Sequence, residues 1–144
     1  MVHQNEEPGI SRRTAICALS LIGAGIFTSA ESAVAASGVK ILANGKVQVT
    51  LKSNPALKKV GGVVRIDDVQ GRSIALVRSS AKAYVAVNLL CTHQGGGLFQ
   101  SGNQWQCDTH GATFTLAGKN LVGPATTALK QLPVKATASV VTIG

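Results

Sequence analysis

The chain has 144 residues, a formal net charge of +8 at pH 7, 14% charged residues, 3% aromatics and sixteen glycines. That length suits one domain with a modest core, and the glycine-rich, lightly charged composition suits a loop-heavy β module better than a helical bundle. No repeat period is present, and the few aromatics leave no aromatic-basic stacking surface for nucleic acid.

The N-terminal segment reads as charged, then apolar, then small. Ser11-Arg12-Arg13-Thr14-Ala15-Ile16 leads into a weakly apolar run at residues 15–30, and Ala33-Val34-Ala35 matches an A-x-A cleavage site. The order resembles a twin-arginine export signal, the route for proteins that fold and take up cofactor before crossing a membrane. Residues 1–36 are therefore expected to be an export signal, and residues 37–144 the functional domain. Ser20, Gly23, Gly25, Thr28 and Ser29 make the run marginal as a stable span. Retention as a membrane anchor stays open beside cleavage. Cys17 lies inside this run as a small apolar residue, and His3 reads as a solvated tail residue. The expected location is periplasmic, or the outer face of the cytoplasmic membrane.

From residue 36 onward twelve lysines and arginines stand against three aspartates, Asp67, Asp68 and Asp108. No Lys or Arg occurs between Lys82 and Lys119. The body is basic and suits an acidic protein, an anionic lipid surface or mere solubility, while the stretch from 83 to 118 is nearly neutral.

Short apolar or alternating runs predict strands at residues 47–51, 63–66, 74–77, 84–87, 132–135 and 140–143. Asn44-Gly45, residues 68–71 and Ser79-Ser80 are the turn signals between them. Six short strands at this spacing predict an all-β fold, a sandwich or barrel. Residues 54–59 predict a helical turn. Gly95-Gly96-Gly97 and Gly102-Asn103 read as turns, and Asp67-Asp68 as a turn with no acid-base role.

Chemistry concentrates in two pairs, Cys91-Thr92-His93 and Cys107-Asp108-Thr109-His110, separated by residues 94–106. Two thiolates and two imidazoles in one glycine-rich region are a metal-ligand set. Two sulfide-bridged irons can use it, with the cysteines on one iron and the histidines on the other. Zinc in a Cys₂His₂ site generally pairs Cys with Cys and His with His, whereas here the types interleave. Copper would group two His and one Cys around one ion. A Cys/His catalytic pair would leave the second pair unexplained, and a plain disulfide would not need the histidines. Glycine in these loops lets backbone N–H groups approach buried sulfur.

These residues resemble the Rieske [2Fe–2S] proteins, whose ligand loops read C-x-H and C-x-x-H. Residues 90–95 look like the first loop and residues 105–114 like the second. Gly118, Gly123-Pro124-Ala125 and the strand after Leu129 resemble the downstream segment whose proline loop covers the cluster. Asn54-Pro55-Ala56-Leu57 and Gly61-Gly62-Val63 resemble small exported members. The resemblance implies an antiparallel β-sandwich or barrel with a small cluster-binding subdomain, and one Rieske-type [2Fe–2S] cluster per chain. Cys91 and Cys107 would hold one iron and His93 and His110 the other, with Gly95, Gly96, Asp108, Gly111, Ala112, Phe114 and Pro124 around the cluster. In the family the histidines lie at an exposed tip.

Several positions depart from the pattern. Rieske proteins of quinol-oxidising complexes brace the two loops with a disulfide; the matching positions here are Gly96 and Thr109. Their hydroxyl donors, a Ser and a Tyr, are matched by Ala112 and Phe114, and Asp108 stands where a proline is usual. Fewer donors and an added carboxylate disfavour the reduced cluster. The expected potential is near 0 mV or below, in the lower half of a range of roughly −150 to +300 mV. No mononuclear-iron domain follows, so a complete oxygenase is not expected.

The expected function is electron transfer, as an exported ferredoxin-like carrier or the Rieske subunit of a quinol-oxidising respiratory complex. The alternative is a small subunit of a molybdenum oxidoreductase resembling arsenite oxidase; a zinc-stabilised binding module is the non-redox class. The expected partner is a cytochrome or a larger oxidoreductase subunit, with quinol for the respiratory version and no nucleic acid. No independent catalytic site is visible.

Overall fold

Strand faces follow the period-two alternation of the sequence, and in this protein one sheet is apolar on both faces. The computed structural model describes residues 37–144; the expected export segment, residues 1–36, lies outside the described residues. In chain order the elements are β1 (Val39–Ile41), β2 (Val47–Thr50), 3-10 turns at Leu51–Ser53 and Pro55–Lys58, β3 (Val63–Val69), β4 (Arg72–Arg78) and β5 (Tyr84–Asn88). Then come β6 (Leu98–Ser101), β7 (Gln104–Cys107), β8 (Thr113–Thr115), β9 (Asn120–Val122), β10 (Gln131–Leu132), β11 (Val134–Ala136) and β12 (Val140–Ile143).

The strands form three four-stranded antiparallel sheets. An outer sheet has the order β1-β2-β12-β11, a middle sheet β10-β5-β4-β3, and a ligand-loop sheet β6-β7-β8-β9. Along β4, Ile74 and Leu76 enter one core with Val47, Val49, Val141 and Ile143 of the outer sheet. Ala75 and Val77 enter a second core with Leu98, Trp105 and Phe114 of the ligand-loop sheet. Residues 74–77 therefore read as a continuous apolar run because both faces of the strand are covered. The architecture is an all-β, antiparallel sandwich carrying a smaller sheet on its far face.

Three local expectations change. The run at residues 132–135 is two strands, not one. Pro133 has no N–H to continue a ladder, so β10 pairs with β5 in the middle sheet and β11 with β12 in the outer one. Asp67 and Asp68 do not form the turn, which lies at Gln70-Gly71. They sit inside β3 at a bulge between Ile66 and Val69, with Asp68 at φ 58°. β6 to β9 carried no apolar alternation long enough to be read from the sequence: each is three or four residues long, and exposed apolar side chains at Phe99, Leu121 and Val122 blur the inward pattern.

One side chain ties the sheets together. Arg65 on β3 donates from Nη1 to the carbonyl of Leu98 on β6 at 2.7 Å, and its Nε pairs with Asp67 at 2.9 Å.

Candidate metal centre

The two ligand loops have one backbone frame used twice. In the first, Cys91 N–H donates to Gly96 O at 2.8 Å and Gly95 N–H to Cys91 O at 2.9 Å. In the second, Cys107 N–H donates to Ala112 O at 2.8 Å and Gly111 N–H to Cys107 O at 3.1 Å. Gly95 and Gly111 both stand at φ 74°, a left-handed conformation that glycine adopts without a Cβ penalty. Each frame thus starts on a cysteine and places glycine four residues later. The histidine falls at the third position in one loop and the fourth in the other. A bridge between Leu90 and Gly97 closes the base of the first loop, and β7 delivers Cys107 to the second.

This frame separates sulfur from imidazole. Cys91 and Cys107 are 3% and 2% exposed, are not in a disulfide, and lie in side-chain contact with each other. His93 and His110 are exposed, with ring centroids 4.9 Å apart and planes at 82°. Backbone N–H groups of His93 and Gln94 face the Cys91 sulfur, and those of His110 and Thr109 face the Cys107 sulfur. Burial raises the pKa of Cys91. On Cys107 burial acts the same way but is outweighed by the N–H groups of His110 and Thr109, and the pKa falls below the usual thiol value. The N–H donors thus favour the thiolate at Cys107, while at Cys91 burial outweighs them. Among the described residues no three His, Cys, Asp or Glu side chains gather around one point. Paired sulfurs and paired imidazoles suit a centre with two irons, each taking two side chains, better than a single tetrahedral zinc.

Gly96 and Thr109, the positions matching the family's brace, are in contact: a Cβ added at Gly96 would lie 2.5 Å from Thr109 Oγ1 and 2.9 Å from Cys107 Sγ. Asp108 is exposed, its N–H donates to Gly97 O at 3.1 Å, and it accepts the Thr109 hydroxyl at 2.8 Å. Ala112 and Phe114 are fully buried in the core beneath the loops. Pro124 is exposed, next to Ala125, which is buried in that same core. Thr92 Oγ1 donates to Thr127 O at 2.8 Å and ties the proline-containing segment to the first loop. Trp105 Nε1 donates to Leu116 O at 3.1 Å, which satisfies its one polar atom inside the core.

Thr92 and Thr127 were not singled out from sequence, whereas Thr109 was marked only as a position matching the brace and not as a hydroxyl donor. Thr92 and Thr109 lie between ligand-type residues, so their positions carried a signal. Thr127 lies 35 residues from its partner and carried none.

Comparison with known proteins agrees with the geometry. The model of the Rieske [2Fe-2S] domain matches residues 48–133. The crystal structure of the cyanobacterial plasma membrane Rieske protein PetC3 from Synechocystis PCC 6803 is 26% identical, with a TM-score of 0.52 over 62% of this chain and 92% of that one. The apo form of the quaternary ammonium Rieske monooxygenase CntA is 20% identical, with a TM-score of 0.53 over 62% of this chain but 30% of that one, a similarity of fold. No curated protein matches the chain by sequence. The chain belongs to the Rieske [2Fe–2S] family, its cofactor is a Rieske-type cluster, and its chemistry is electron transfer.

Proposed function

We propose that this protein is an exported one-electron carrier whose cluster is held by Cys91 and Cys107 on one iron and by His93 and His110 on the other. The observation that carries the reading is the division of the site into a buried sulfur pair and an exposed imidazole pair. Buried, hydrogen-bonded thiolates stabilise the charged iron end. Exposed imidazoles put the other iron within reach of a partner. The family's cluster cycles by one electron, and neutral imidazole ligands make its reduced state more accessible than four thiolates do. Gly95, Gly96, Gly111, Ala112, Phe114, Asp108 and Pro124 shape the surroundings of that cluster without ligating it.

Iron and sulfide analysis with EPR tests the ligand set. The wild type is expected to carry two irons and two sulfides, and Cys91→Ser or His110→Ala to lose the Rieske spectrum. A spectrum that survives either substitution would overturn the assignment. Export follows from Arg12-Arg13 and the residues after them, and Arg12→Lys/Arg13→Lys is expected to keep the protein in the cytoplasm.

A second reading, a subunit of a respiratory complex or molybdenum oxidoreductase, is favoured by the neutral stretch around the histidines, which suits docking into an apolar pocket. Isolation from the membrane fraction with partners attached separates the two.

A further inference from the structure

The cations of the domain are not spread evenly. At one pole the 3-10 turns present Lys52, Lys58 and Lys59, all exposed, beside a groove of about 390 Å³ shared with Arg78 and floored by Leu57 and Tyr84. The Arg78 guanidinium joins two loops here: Nη1 donates to Leu57 O at 2.9 Å and Nη2 donates to Ala81 O. It thereby holds the turn carrying Lys58 beside the turn carrying Lys82. Gly61 N–H donates to Arg78 O at 2.8 Å and places Val60 at the same pole. Val60 is 62% exposed, the highest value among the large apolar side chains described.

No carboxylate lies on these turns. Asp67 and Asp68 are at the bulge near the β3–β4 turn, where Arg72 opens β4; Arg78 closes that strand at its other end. Asp108 is in a ligand loop. Ser37, the first of the described residues, also lies at this pole. The buried Asn54 side chain donates both to Ser37 O and to Thr50 O at 2.9 Å and fixes the chain's entry beside Lys52 and Lys58.

We infer that this pole is a docking face for an anionic lipid bilayer. Several lysines and one protruding apolar side chain at the same pole, with no carboxylate on its turns, match what an anionic headgroup layer attracts and what its interface accepts. The connection to the apolar segment at residues 15–30 would deliver the pole to the surface. Docking there orients the cluster. β5 runs from Tyr84 at the groove toward Cys91, seven residues on, roughly 20 Å at strand rise. The histidines then face away from the lipid, toward protein partners. The inference rests on the membrane placement above only for which bilayer is met; vesicles read surface binding directly, so a failed export assay leaves it standing.

The test uses the full holoprotein with phosphatidylcholine vesicles, with and without phosphatidylglycerol. A cation held near an anionic surface contributes roughly fivefold in partition. Lys52→Gln/Lys58→Gln/Lys82→Gln is thus expected to lose about a hundredfold of the phosphatidylglycerol-dependent binding. Lys46→Gln/Arg72→Gln/Lys135→Gln removes the same charge away from the pole and is expected to keep most of it. Hydrogen exchange is expected to slow at residues 51–58 and 79–83 on phosphatidylglycerol vesicles and to stay unchanged at residues 69–72; insertion of the N-terminal segment alone would leave all three unprotected. Equal loss in the two triple variants, no dependence on phosphatidylglycerol, or protection at the ligand loops instead would overturn the inference. Protection of the pole by an acidic protein but not by vesicles would overturn it in favour of a protein partner.

Discussion

Gly96 lies against the Thr109 side chain so closely that a methyl group on Gly96 would meet Thr109 Oγ1 at 2.5 Å and Thr109 Cβ at 3.2 Å. Relatives with a disulfide brace would carry their half-cystines at these two positions. Here close packing holds the loops together without a covalent bond.

Gly96→Ala is therefore expected to push the loops apart. Cys107 Sγ, 2.9 Å from the added carbon, cannot yield without moving the sulfur proposed to hold the cluster. Overpacking of this kind costs about 1–3 kcal/mol. Iron content per chain and the urea midpoint are both expected to fall, and unchanged iron content would show that the loops tolerate separation.

Gly96→Cys/Thr109→Cys is expected to close a disulfide. The Cβ pair, 3.2 Å apart, needs to widen only a few tenths of an ångström to reach the usual span of about 3.5–4.5 Å. The new Cβ at 96 still meets Cys107 Sγ at 2.9 Å, so the bond is expected to close with a shift of the first loop. For a loop this short the stabilisation is up to about 3 kcal/mol. Thiol titration of the unfolded chain with and without reductant, and the urea midpoint, check it.

The potential is expected near 0 mV or below, since Ala112 and Phe114 bring no hydroxyl and Asp108 stands beside Cys107. One donor offsets this in part. The Thr109 hydroxyl lies by the Cys107 sulfur as well as by Asp108. Its single hydrogen goes to Asp108 Oδ1, so Thr109→Val is expected to lower the midpoint by less than the roughly 40 mV that one full hydrogen bond of about 1 kcal/mol is worth for a one-electron couple. Asp108→Asn is expected to raise it. Redox titration followed by EPR measures both, and a wild-type midpoint near +300 mV would contradict the whole reasoning.

Asp67 has its pKa lowered chiefly by the Ser73 hydroxyl, at 2.6 Å, and also by Arg65; partial burial opposes them. A lowered folded-state value contributes stability above the ordinary carboxylate pKa of about 3.9, and that contribution disappears as pH falls through the lower value. The pair is exposed, so the loss is expected to stay below about 1 kcal/mol. Arg65→Gln also removes the bond to Leu98 O between two sheets and is expected to cost more than Asp67→Asn at neutral pH. Urea midpoints at pH 6 and pH 3 for both variants measure this.

The four Cys and His residues and the fold class were legible because both depend on residue type at short spacing. Val47, Val49, Ile74 and Leu76 showed their strands by apolar character alone. β6 to β9 were harder. Phe99, Gln106 and Thr113 face outward along one cross-strand row, leaving single buried residues such as Trp105 and Phe114 to carry the pattern. The break at Pro133 was written in the sequence as a proline, but its meaning, a change of sheet, depends on which strands receive the two halves. Thr127 and the twin loop frames needed coordinates, since nothing in residue type announces a hydrogen bond to a distant backbone.

The pairing of β2 with β12 joins Val49 to Val141, strands more than ninety positions apart in the chain. Until β12 is made, β2 has only the three-residue β1 beside it, and the core between outer and middle sheets stays open to water. Long-range closure of this sort is slow to form. The core between these two sheets is sealed only when the last strand of the chain takes its place, so the final residues govern the stability of strands made near the start of the domain.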